Sequence, residues 1–99
     1  MATQEFIING GPSKLDLMLA LFDGDCSHRR LIKLSLVPMH SSNPCIQEHE
    51  FILNIVERKD GSGERWMLSG VCTSPAGSKN RHMSAYYCTS DRHGMFKLD

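Results

Sequence analysis

No charge of either sign is in excess in this sequence: eleven Lys and Arg offset eleven Asp and Glu. Strong non-specific nucleic-acid binding runs on phosphate neutralisation and shows as a basic surplus, so the balance weighs against that role. Long apolar runs are also missing. The longest, around residues 17–22, is far too short to span a bilayer. No basic and then apolar leader opens the chain at Met1-Ala2-Thr3-Gln4-Glu5. These absences lead to the expectation of a soluble cytoplasmic protein, off the membrane and with reduced thiols.

Signatures of chemistry are equally scarce. Gly-x-Ser-x-Gly and His-Glu-x-x-His do not occur. Gly61-Ser62-Gly63 begins like a dinucleotide loop but lacks the third glycine, and Gly77-Ser78-Lys79-Asn80 lacks the glycine and Lys-Ser/Thr step of a phosphate loop. Both read as turns. The four cysteines form no Cys-x-x-Cys pair, and no cofactor is implied. Cys72 and Cys88 end consecutive strand candidates, which puts them about 20 Å apart and beyond disulfide reach. Cys26-x-His28 and Cys45-x-x-x-His49 together offer four nitrogen and sulfur donors, but the spacing matches no zinc module. Isolated surface histidines are the default for such pairs.

What is present is strand pattern. Ninety-nine residues form a single domain, 1–99, with room for one core. Residues 4–9 are apolar in the middle and stop at Asn9-Gly10-Gly11-Pro12. Residues 30–37 alternate Ile32, Leu34 and Leu36 against Leu31, Lys33, Ser35 and Val37, and Pro38 ends them. Residues 50–58 and 64–72 flank an Asp60-Gly61 turn signal. A turn centred there pairs Ile55 with Trp66, Leu53 with Leu68 and Phe51 with Gly70. Residues 82–88 put Met83, Ala85 and Tyr87 on one face, and residues 95–98 make a short last strand.

Residues 14–22 fit two readings. With period two, Leu15, Leu17, Leu19 and Leu21 share a face. As a helix, Ser13 and Asp16 make a capping-box start, yet Leu17 and Leu21 fall off the stripe of Leu15, Met18, Leu19 and Phe22. The strand reading is preferred. Together these segments predict a mainly β domain, an antiparallel meander of six to seven strands forming a small barrel or sandwich. The alternative is α+β, with residues 13–23 as a helix packed on the sheet. Met18, Ala20 and Phe22, and Ile52 and Val56, stand on a second apolar face that a helix, another layer or a second copy must cover.

Three functional classes follow. The first is a non-catalytic binding module acting as a homo-oligomer, a dimer above all, through that second face. The second is a small barrel that binds single-stranded nucleic acid or a planar ligand through Arg65, Trp66, Arg81 and Tyr86, by stacking and phosphate contact. Against it, Trp66 and Tyr87 sit on the apolar face and read as core, leaving Tyr86 exposed. The third, less favoured, is an enzyme built from loop residues, Asp23, Asp25 and His28 or Asp91, Arg92 and His93, although no nucleophile stands at a recognisable spacing.

Overall fold

The structure, a computed structural model, describes residues 3–22 and 30–99. Six strands run in chain order: β1 (Gln4–Asn9), β2 (Leu31–Pro38), β3 (Gln47–Arg58), β4 (Arg65–Ser74), β5 (His82–Cys88) and β6 (His93–Leu98). Each pairs antiparallel with the next, and β1 also pairs with β6, so the sheet closes into a barrel. Closure leaves no edge strand open. Alternate residues of every strand fill the interior: Phe6 and Ile8, Leu34 and Leu36, Phe51 and Leu53, Trp66 and Leu68, Met83 and Tyr87, Phe96 and Leu98 are all buried. The inside is therefore a packed core.

One segment departs from the preferred reading. Residues 14–22 are a helix, α1 (Lys14–Phe22), and the meander has six strands. The local chemistry explains it. The Ser13 hydroxyl accepts the Asp16 N–H at 3.2 Å, and the Asp16 carboxylate accepts the Ser13 N–H at 3.0 Å, a reciprocal capping box. Leu17 and Ala20, not the Leu15–Leu19–Phe22 stripe, join the core. With apolar residues all round, periodicity could not say which side faces in.

The β3–β4 hairpin forms as expected, but its register differs. The Lys59 N–H bonds the Arg65 carbonyl at 2.8 Å across a five-residue loop, residues 60–64. Leu53 then opposes Gly70 and Val56 opposes Leu68, with Asn54 as an extra residue between them. A bulge of this kind shifts alternation by one. Val56 therefore points inward while Ile55 is 52% exposed, which corrects the expected Ile55–Trp66 pair. Gly70 is required there: a Cβ would run into the Ile52 carbonyl oxygen.

Helix α1 closes one end of the barrel. Buried Pro12, just before it, accepts the Tyr87 hydroxyl at 2.6 Å. Lys14 donates to the Ser62 carbonyl at 2.7 Å and pairs with Glu64 at 3.4 Å. At this end too, Trp66 Nε1 donates to the Gly63 carbonyl at 2.7 Å, and the Thr89 N–H to the Glu64 carbonyl at 2.8 Å. The other end, where β1 begins and β2 meets β3, carries no α-helix among the described residues, only a 3-10 turn at Ala76–Ser78 between β4 and β5. No helix among the described residues is long and apolar enough to cross a membrane.

Candidate functional site

The helix that closes the barrel has a second face with nothing on it among the described residues. Its only polar side chains, Lys14 and Asp16, lie in the first turn. Beyond them, Leu15 is 66%, Leu19 49% and Phe22 69% exposed. These positions, spaced four and three apart, form one stripe along the helix. Between α1 and β2 lies a groove of about 520 Å³ lined by Pro12, Asp16, Leu19, Leu31 and Lys33. Leu31, at its far wall, opposes Ile52, which opposes Val71, so the apolar strip continues over the barrel wall. Lys33 is exposed and has no ion-pair partner among the described residues.

The four residues of the aromatic and basic hypothesis are divided. Arg65, Trp66 and Tyr86 border one shallow groove with Lys59 and Met95. Trp66 offers that groove little, being 1% exposed, while Tyr86 is 60% exposed. Tyr86 stands in a cross-strand row between Met67 and Met95 on the outer wall. Arg65 lies within 4.0 Å of Asp60. Burial nudges the Asp60 carboxyl upward, but hydrogen bonds from the Ser62 hydroxyl and the N–H groups of Arg65, Glu64 and Gly63 outweigh it and hold the pKa low. Arg81 lies elsewhere, at the open end, where its guanidinium donates to Gln4 at 2.7 Å and to the main-chain oxygens of Asp99 and Leu98.

Around Arg81 the open end forms a mouth of about 800 Å³, lined by Gln4, Phe6, Gln47, His49, Ser78 and Arg81 among others. His49 is only 4% exposed, which corrects the surface default. Its ring stacks on Phe51 (6.0 Å between centroids, 10° between planes) and meets Phe6 at 5.9 Å. Nε2 is 3.4 Å from the Gln47 side-chain oxygen, and Nδ1 is 3.9 Å from Cys72 Sγ. Burial, reinforced by the positive charge of Arg81, pulls the His49 pKa below its ordinary value. Burial pushes the Cys72 thiol up, and it donates to the Ser74 carbonyl at 3.1 Å. Imidazole and thiol are thus both neutral. Ser78 is 9% exposed and its hydroxyl has no hydrogen-bond partner among the described residues.

The sequence names His49 as a donor beside Cys45 but not as a core residue, because a strand expected over 50–58 leaves it in the preceding loop, whereas β3 begins at Gln47. Alternation was signal enough, since His49, Phe51 and Leu53 take successive inward positions. Cys45 does not share its surroundings: it is exposed and hydrogen-bonds Asn43 in the β2–β3 loop. Cys26 and His28 lie outside the described residues, as do Asp23 and Asp25. Cys72 and Cys88 are both free thiols, at opposite ends of the β4–β5 ladder. Asp91 accepts the His93 N–H at 3.1 Å in the β5–β6 turn. Among the described residues no group of three or more His, Cys, Asp or Glu is placed to hold a metal ion. Comparison with protein-family models, curated proteins and solved structures finds no match to this chain.

Proposed function

We propose that the protein is a non-catalytic binding module that works as a homodimer, with α1 and the start of β2 as the interface. One observation carries this reading: a helix apolar on both sides has one side in the barrel and the other in water. Leu15, Leu19, Phe22 and Leu31 together expose roughly 400 Å² of apolar surface, the size of patch that marks an interaction site. That is about half of the ~800 Å² per partner in a standard interface, leaving the remainder to a polar rim.

A second copy is the occupant that suits the charges. The formal net charge is zero, so two copies do not repel as a whole. Asp16 and Lys33 border the same groove with opposite signs. A two-fold axis brings each Asp16 to the partner's Lys33, the self-complementarity an isologous interface needs. The reading extends to a cytoplasmic protein with reduced thiols, in keeping with free Cys45, Cys72 and Cys88. Sedimentation velocity across a wide concentration range tests it: the wild type runs as a dimer that dissociates on dilution, and Leu19→Lys runs as a folded monomer. A wild type that stays monomeric at high concentration, or a Leu19→Lys variant that stays dimeric, refutes it.

A second reading is favoured by the Met67–Tyr86–Met95 row, where an exposed aromatic ring stands near Arg65 and Lys97. It assigns that wall to stacking on a planar ligand. A fluorescently labelled single-stranded oligonucleotide, titrated at low salt, tests the nucleic-acid form of it: saturable binding lost in Tyr86→Ala supports it, and a flat titration ends it.

A further inference from the structure

We infer that His49 Nδ1, on the wall of the barrel mouth, and the buried Cys72 Sγ beside it form a two-donor site for a monovalent soft metal ion, copper(I) in class. The two atoms are 3.9 Å apart. With metal–sulfur and metal–nitrogen bonds of about 2.3 and 2.0 Å, that separation subtends roughly 130° at an ion between them. Tetrahedral zinc needs the donors nearer ~3.5 Å, and two more ligands. An angle between trigonal and linear is the low-coordination range that thiolate with imidazole offers to copper(I) and silver(I).

Charge decides the same way. The ion displaces the Cys72 thiol proton, which leaves to solvent as the S–H bond and its hydrogen bond to Ser74 break. Metal–sulfur and metal–nitrogen bonds form in their place. A +1 ion with one thiolate and one neutral imidazole leaves the site neutral. A divalent ion leaves an uncompensated positive charge among Phe6, Phe51 and Phe96, in the field of Arg81. An ion reaches the pair from the His49 side, since His49 lines the mouth while Cys72 is buried beside it.

Silver(I) in chloride-free buffer is the probe, applied to a Cys26→Ser, Cys45→Ser, Cys88→Ser protein in which Cys72 is the sole thiol. Native mass spectrometry should show one silver gained and one proton lost, and the His49 Nδ1 resonance should move on binding. His49→Phe keeps the ring stacked between Phe6 and Phe51 and should weaken binding at least about tenfold, 1.4 kcal/mol. Unchanged silver affinity in folded His49→Phe reduces the event to simple thiol capture and overturns the inference. So does a folded sole-thiol protein that binds no silver, or one that takes zinc in preference. If the triple substitution fails to fold, the wild-type Nδ1 shift, present with silver and absent in Cys72→Ser, makes the same decision.

Discussion

The two ends of the barrel are unfinished in opposite ways. At the helix-capped end the buried polar groups are satisfied: the Tyr87 hydroxyl and Trp66 Nε1 have partners at 2.7 Å or less, and the exposed Ser13–Asp16 pair satisfies itself. What is left over there is apolar, the stripe of Leu15, Leu19 and Phe22. At the open end the apolar residues are packed, with Phe6, Phe51 and Phe96 ring against ring. What is left over there is polar, a buried imidazole with only long contacts and a buried hydroxyl with none among the described residues. Uncovered apolar area calls for a large partner surface, whereas unused polar capacity suits something as small as an ion.

The sharpest way to break that contrast is within the helix. Leu17→Ala empties a fully buried site and should cost about 2–5 kcal/mol. Leu19→Ala, two residues on, should cost no more than ~0.5 kcal/mol at concentrations where sedimentation finds a monomer. Urea unfolding of the two side by side decides it. Equal costs mean that both faces of α1 are packed and that no free face exists.

A smaller effect is expected at the joint between helix and barrel. Tyr87→Phe leaves the buried Pro12 carbonyl without its donor and should cost about 1–3 kcal/mol. Burial pushes the Tyr87 phenol far up, so its ionisation has no part near neutral pH. A wild-type-like midpoint for Tyr87→Phe shows that the helix is held by its side chains alone.

How much of this was legible in the sequence depends on how strongly each residue was tied to its period. Residues 4–9, an apolar centre with polar ends, and residues 82–88, with Met83, Ala85 and Tyr87 on one face, are bounded in the sequence because a turn follows each. The β3–β4 hairpin was visible in Asp60-Gly61, but the extra residue at Asn54 was not, because a bulge leaves no composition of its own. Helix α1 was hidden by its own uniformity, and there the capping box was the better guide. Arg65 and Arg81 fall on or beside the neighbouring strands β4 and β5, yet they occupy opposite ends of that pair. Strand adjacency alone does not say at which height a side chain sits.

The smallest expected effect belongs to the mouth. His49 is held neutral in the folded state, with its pKa below the ordinary 6.5. The unfolded chain therefore binds the extra proton first as pH falls. Its contribution is fully present above pH 6.5 and declines from there toward the lower folded-state value. Melts of wild type and His49→Phe through this range should diverge, with the wild type losing stability more steeply. Parallel curves place His49 in contact with solvent and remove the contrast at that end.

The central claim is that two copies meet through the free face of α1. Isotope-filtered NOE spectroscopy on a mixture of labelled and unlabelled protein reads this directly. Contacts between copies are expected from Leu15, Leu19, Phe22 and Leu31, and none from Tyr86 or Met95. Intermolecular contacts confined to the Tyr86 wall, or absent at concentrations where the protein is dimeric by sedimentation, contradict it.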